Sequence, residues 1–94
     1  MRYEWDDAKA IANQAKHGVD FEEASTVFED AWARVIDDPD HSQEEQRFII
    51  LGLSLRARIL VVFHCLRQEG NAIRIISARR ATRREAEQYW RCRS

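Results

Sequence analysis

Five arginines fall within eleven residues of this chain, at positions 74, 79, 80, 83 and 84. Guanidiniums at that density attract anions, and the planar fork of Arg matches a phosphate bidentately. The string that holds them, Arg74-Ile75-Ile76-Ser77-Ala78-Arg79-Arg80-Ala81-Thr82-Arg83-Arg84-Glu85, reads as a strand that turns into a helix. Its first half is β-branched, with Arg74 on the face opposite Ile73 and Ile75. Its second half has the form of a capping box. Thr82 accepts from the backbone N–H of Glu85, and Glu85 reaches back to the N–H of Thr82. Arg79-Arg80 is expected between the two elements, beside helix-end N–H groups that themselves favour anions. One arginine at such a corner is as often solvated or tied to a carboxylate. Five together point to phosphate, and so to nucleic acid.

Were such a phosphate site to serve a nuclease, cleaving RNA without a metal would have three requirements: a deprotonated 2′-hydroxyl, a stabilised phosphorane and a protonated 5′-oxygen. A group titrating near neutrality suits the first or last task, which makes His17, beside Lys16, a candidate base or acid. Arg79 and Arg80 are candidate clamps on the phosphate, with Arg74, Arg83 and Arg84 as further RNA contacts. Lys16-His17 also has a plainer explanation, since cations in a last helical turn complement the helix dipole. The acids of Asp37-Asp38-Pro39-Asp40-His41-Ser42 imitate a metal site, but their spacing fits no ligand pattern, and neither a metal nor a cofactor is expected. His64, ending an apolar run, is expected to be a buried and satisfied histidine.

Charge patterning supports a basic working surface. The net charge is only −1, yet residues 1–45 hold four Lys/Arg and thirteen Asp/Glu, whereas residues 46–94 hold eleven Arg and three Glu. All cations of the second half are Arg, the residue that both forks onto phosphate and stacks on bases. Ninety-four residues, 45% hydrophobic with three glycines and one proline, make a single domain and exclude disorder. No apolar run is long enough to span a membrane, no signal-peptide pattern follows Met1, and the two cysteines form no disulfide framework. A cytoplasmic protein is expected.

The elements that must position these residues follow from periodicity and punctuation. Residues 1–5 are extended. Asp6 or Asp7 caps a helix to about residue 17, with Ala8, Ile11, Ala12 and Ala15 as its apolar stripe and Gly18 as its stop. Asp20 caps a second helix over residues 21–28, facing inward through Phe21, Ala24 and Phe28. Strands are expected over residues 32–36, 48–53, 59–65 and 72–77, the third being the most buried. A turn at Gln68-Glu69-Gly70-Asn71 joins the last two. The final helix runs from Thr82 to about residue 92, with Ala86, Tyr89 and Trp90 on one side. Four strands joined by short links predict an antiparallel sheet, with two helices before it and one after it, an α+β fold.

Three stretches together resemble the BrnT-type toxins. They are Tyr3-Glu4-Trp5-Asp6 with Lys9; Lys16-His17-Gly18-Val19-Asp20-Phe21-Glu22-Glu23-Ala24 with Phe28; and the run from Arg74 to Glu85. Glu45-Gln46-Arg47-Phe48, Gly52 and Leu60-Val61-Val62 add to the likeness, which covers nearly the whole chain. The chain departs from the family at His64-Cys65-Leu66-Arg67, where an aromatic and a polar residue more often end the strand. The resemblance implies a RelE-like ribonuclease toxin that cleaves RNA, arrests translation and is neutralised by a DNA-binding, BrnA-like antitoxin. It implies a hetero-oligomer built on an antitoxin dimer, and Tyr89 and Trp90 are expected to contribute to that interface. It also implies a second catalytic scheme, in which Lys9, Lys16 and Arg79 suffice and His17 only assists. A rival reading makes the basic corner a non-catalytic module that holds a partner's acidic arm or a nucleic-acid backbone. Direct DNA binding is a weaker reading, because no helix-turn-helix or ribbon signature is present.

Overall fold

The apolar run starting at Ile59 has to be covered on both faces, and it becomes the middle of a five-stranded sheet. The computed structural model describes residues 1–39 and 46–93. Expectations at Asp40, His41, Ser42, Glu44 and Glu45 therefore lie outside the described residues. In chain order the elements are β1 (Arg2–Glu4), α1 (Asp7–His17), α2 (Phe21–Thr26) and a 3-10 turn (Val27–Glu29). Then follow β2 (Arg34–Asp37), β3 (Arg47–Leu53), β4 (Ile59–Arg67), a 3-10 turn (Gln68–Gly70), β5 (Ala72–Arg80) and α3 (Arg83–Arg93).

The sheet order is β1-β5-β4-β3-β2. β2 through β5 pair antiparallel, as expected of strands joined by short links. The extended N-terminus adds a fifth strand, β1, parallel to β5 through Arg2–Ala72, Tyr3–Ile73 and Glu4–Arg74. The four-stranded antiparallel sheet is thus corrected to a mixed one. The two early helices lie between its first and second strands and do not precede it. Parallel neighbours need a crossover, and everything from α1 to β4 supplies it.

The helix ends match their sequence signals. Asp6 accepts from Lys9 N–H at 2.9 Å, Asp20 accepts from Glu23 N–H, and Gly18 closes α1 at φ 69°. The face that α1 buries differs from the expected stripe. Ala8, Ile11, Ala12 and Ala15 point outward, Ile11 being 72% exposed, and the inward positions are Ala10, Asn13 and half-buried His17. Asn13 decides this rotation. Its amide nitrogen donates to the carbonyls of Val19 (2.9 Å) and Ala78 (2.8 Å), and its oxygen accepts from Ala78 N–H (3.1 Å). β1 ends alongside Arg74, so the edge of β5 beyond it has no strand partner there, and one side-chain amide stands in for a peptide unit. Three hydrogen bonds outweigh an apolar stripe of three alanines and one isoleucine.

The core lies between α1, α2 and one face of the sheet. Val19, Phe21, Ala24 and Val27 meet Ile50 of β3, Leu60 and Val62 of β4, and Ile73, Ile75 and Ala78 of β5. Gly52 lets the 3-10 turn close on β3, since a Cβ there would stand 3.2 Å from the Cβ of Val27. His64 is buried on the same side with its Nδ1 3.3 Å from the carbonyl of Val62, edge-on to Phe28, and burial lowers its pKa. Glu23, also buried, accepts from Ser54 Oγ at 2.7 Å and from the Nε and Nη2 of Arg58. Those Arg58 bonds hold its carboxyl below the ordinary range. Tyr89 is buried within the chain, so it is no reserve of partner surface. Its hydroxyl donates to Asp30 at 2.6 Å and anchors α3, while Trp90 stays 49% exposed.

Asn13→Ala leaves the N–H and C=O of Ala78 and the carbonyl of Val19 buried without partners. An unsatisfied buried group costs about 1–3 kcal/mol, so the loss should reach several kcal/mol, read as a lowered urea midpoint. Asn13→Asp should be worse, because a carboxylate would face two carbonyls.

Candidate functional site

The sheet has two unlike faces. The inner one carries the core beneath α1 and α2. On the outer one, Ile36, Ile49, Leu51 and Val61 floor a cleft of about 280 Å³, with Arg34 at its rim and Glu85 and Gln88 of α3 as its wall. Which arginines reach the outer face depends on an irregularity in β5. The β4–β5 pairing passes from Phe63–Ser77 to His64–Ile75, which leaves Ile76 as an extra residue. In a regular strand Arg74 and Arg79, five positions apart, would point to opposite faces. The bulge reverses the alternation. Arg79 pairs with Val61 and Arg74 with Cys65, both outer positions of β4, whereas Arg80 pairs with Leu60 on the inner side.

β5 runs three residues beyond the expected end, so Arg79 and Arg80 close a strand and do not sit on a connecting corner. Arg79 is half-buried and forked onto Glu85, with Nη1–Oε1 at 2.8 Å and Nη2–Oε2 at 3.0 Å. Nη1 also donates to the carbonyl of Arg80 at 3.3 Å. Three of the five guanidinium donors are thereby engaged among the described residues, and two remain. Both capping-box bonds are present: Thr82 N–H donates to Glu85 Oε1 at 2.8 Å, and Glu85 N–H donates to Thr82 Oγ1 at 3.2 Å. Glu85 therefore caps α3 and fixes Arg79 at once. The Arg79 bonds pull the Glu85 carboxyl from its ordinary 4.5 to about 2, and the same bonds raise Arg79.

The remaining candidates separate. Arg74 shares the outer face and lies 3.6 Å from Glu4 of β1. Arg83, 95% exposed at its side chain, stands 3.6 Å from Glu87, and Arg84 is exposed beside it at the start of α3. Lys9 and Lys16 are exposed on α1, and His17 is half-buried in the last turn of that helix, on the inner side of the sheet. Arg58 donates to the carbonyl of Gly18 at 3.1 Å, which brings the end of α1 to the end of the sheet where β5 finishes. His17 and Arg79 thus approach one end of the sheet from opposite faces. Among the described residues no group of three or more His, Cys, Asp or Glu could hold a metal ion. No described helix is long and apolar enough to cross a membrane.

Two features escaped sequence reasoning. Arg34, read only as part of a strand, rims the cleft and donates to Cys92 Sγ of α3 at 3.0 Å; nothing local in the sequence announces it. The second role of Glu85 did have a signal. Its capping duty places a carboxylate at Thr82, within reach of an arginine three residues upstream. Glu85 has a depressed folded pKa, so the pair stabilises fully above pH 4.5 and loses that stabilisation as pH falls toward about 2. Glu23 and Asp30 are also lowered, so the signature is a difference between two proteins. Glu85→Gln should melt below wild type at pH 7, and the gap should close toward about pH 2. A constant gap across thermal melts in that window would show that the carboxylate does not titrate with folding.

Residues 5–85 match the family described as "Ribonuclease toxin, BrnT, of type II toxin-antitoxin system". Among solved structures, the 1.1 Å crystal structure of the Brucella abortus ribonuclease toxin, BrnT, is similar at a TM-score of 0.67 and 26% identity. That likeness covers 88% of this chain and 99% of the Brucella one. None of the curated proteins matches the sequence significantly. With the family match running from Trp5 through Glu85 and the architecture shared with a solved BrnT toxin, the chain belongs to the BrnT family of ribonuclease toxins of type II toxin–antitoxin systems.

Proposed function

We propose that this toxin cleaves RNA on the outer face of its sheet without a metal, with Arg79 as the group that stabilises the transition state. One observation carries the assignment: Arg79 is joined to two residues that line the cleft, Val61 across the strand pair and Glu85 through both carboxylate oxygens, and two of its donors are left over among the described residues. A clamp fixed before substrate arrives spends no binding energy on ordering itself, which favours the transition state over the ground state. Attack of the 2′-oxygen on phosphorus expels the 5′-oxygen and leaves a cyclic phosphate, and charge builds on the non-bridging oxygens between the two steps. Two guanidinium N–H groups are suited to that charge. Glu85, held near 2, is too weak a base to take the 2′-proton. The protein's contribution on this face is therefore electrostatic, with water carrying protons. Arg74, Arg83 and Arg84 bind the flanking phosphates.

His17 and Lys16 carry the competing assignment, in which Arg80 serves them on the inner side and Lys9 extends the contact along α1. Assays with a labelled RNA in EDTA separate the two. Wild type should cleave. Arg79→Ala and Arg79→Lys should lose about 10²–10³ in kcat, the usual cost of one oxyanion donor, while keeping most RNA affinity. His17→Ala should stay within a few-fold of wild type. Loss of turnover in His17→Ala with Arg79→Ala active would move the reaction to the α1 end. Affinity should fall linearly in log–log salt titrations, and each phosphate-binding arginine removed should shallow the slope by about 0.7.

A type II toxin has a cognate antitoxin. We infer a small DNA-binding, BrnA-like protein that dimerises and holds the toxin in a hetero-oligomer, with both acting in the cytoplasm where the RNA is. Ile36, 57% exposed, lines the outer-face cleft and supports an interface there. Light scattering of the co-expressed pair checks the stoichiometry, and a toxin that stays alone would rule it out.

A further inference from the structure

Phe63 sits at the centre of the outer face and belongs to no part of the core. Along β4 the residues pointing inward are Leu60, Val62 and His64, and those pointing outward are Val61, Phe63 and Cys65. Phe63 is half-buried, and neither the core cluster nor the hydrophobics packed against it include it. Its cross-strand neighbours are Ile49 on β3 and Ser77 on β5. A large apolar side chain therefore flanks Phe63 on one neighbouring strand and a small polar one on the other.

The charged groups around it are spaced by the pleat. Two residues toward one end of β4, Val61 pairs with Arg79; two residues toward the other end, Cys65 pairs with Arg74. Each step is about 6.6 Å along the strand at ~3.3 Å per residue. An aromatic ring therefore lies between two guanidinium carriers on one face, an order that the bulge at Ile76 alone produces. Packing by itself explains a half-buried Phe beside Ile49. It does not explain why the apolar ring stands between two arginines on the face without α1 or α2.

We propose that Phe63 is a stacking platform for one unpaired base, and that the substrate of the outer face is single-stranded RNA. The base lies on the ring while its neighbouring phosphates meet Arg74 and Arg79. Stacking of this kind tolerates any base and excludes a duplex, whose bases are already paired and stacked. Phe63 is a positioning residue: it sets which phosphate lies at Arg79 and does no chemistry. The assignment rests on the outer face being the RNA site and adds the strand state of the substrate and the register of cleavage.

The test uses a ten-nucleotide 2′-deoxy strand carrying one 2-aminopurine, which binds without being cleaved, beside the matching RNA and its duplex. Wild type should quench the fluorophore at one position and cleave the single strand in preference to the duplex. Phe63→Leu should abolish the quenching, weaken binding on the order of 10- to 100-fold, the worth of one stacked base, and blur the cleavage position. Phe63→Trp should restore all three. Thermal melts of Phe63→Leu check that the fold is intact, and Phe63→Trp carries the test if leucine unfolds. Quenching unchanged in Phe63→Leu, or equal cleavage of the duplex, would overturn the platform while RNA binding on this face stands. If wild type binds no strand at low salt, or Arg74→Ala and Arg79→Ala leave binding and turnover unchanged, the outer-face reading falls with it.

Discussion

A single surplus residue in β5 governs how this toxin presents its charge. In a regular strand Arg74 and Arg79, an odd five positions apart, would stand on opposite faces, because successive side chains alternate. Ile76, left over between two pairing registers, takes up the odd count and brings both arginines to the outer face. A bulge costs ladder hydrogen bonds, so it needs support on both flanks. β4 holds one side through nearly its whole length. On the other side β1 stops short, and Asn13 of α1 takes over at Ala78. The same amide also fixes which way α1 faces, so the helix is rotated to serve the strand rather than its own apolar stripe.

The second dependency runs through Glu85. It closes the capping box of α3, accepts both forks of Arg79, and walls the cleft beside it. Helix start, strand end and candidate clamp are thereby one hydrogen-bonded unit. The far end of α3 is pinned separately, by Tyr89 on Asp30, which in turn accepts from Leu53 N–H at 2.8 Å. Burial works against the Asp30 carboxylate, yet these bonds keep it below its ordinary range. A helix held at both ends can serve as the fixed wall of a cleft. That rigidity matters for a site whose contribution is placed charge, since a loosely held guanidinium would bind substrate and transition state alike.

The arginines of the second half are not one pool of positive charge. Arg58 is committed to Glu23 and Gly18, and its role is to lock the α1–α2 turn onto the start of β4. Arg79 and Arg74 face carboxylates that orient them, and Arg83 and Arg84 stand out in solvent at the start of α3. The acidic first half supplies two of these partners, Glu23 and Glu4. The opposite charges of the two halves are thus partly spent inside the fold.

Local signals sufficed wherever the deciding contact is local. Asp6, Gly18, Asp20 and the Thr82–Glu85 box act within three or four residues, so the three helix starts and the stop of α1 were legible in the sequence, whereas α2 gives way to a 3-10 turn at Val27 that no local signal marked. The burial of β4 was legible from its unbroken apolar run, and the family from its two specific ends. What the sequence could not decide depends on contacts between distant residues. The alternation of Arg2, Tyr3, Glu4 and Trp5 announced an extended entry but not its partner; β1 joins the sheet, in parallel, because β5 offers an edge. The rotation of α1 hangs on bonds from Asn13 to Ala78, 65 positions away. The side on which Arg79 stands was hidden because strand parity is counted from the register, and the register shift at Ile76 is set by the pairing with β4. Types and spacing named the residues of the site. Only the folded sheet assigned them to one face or the other.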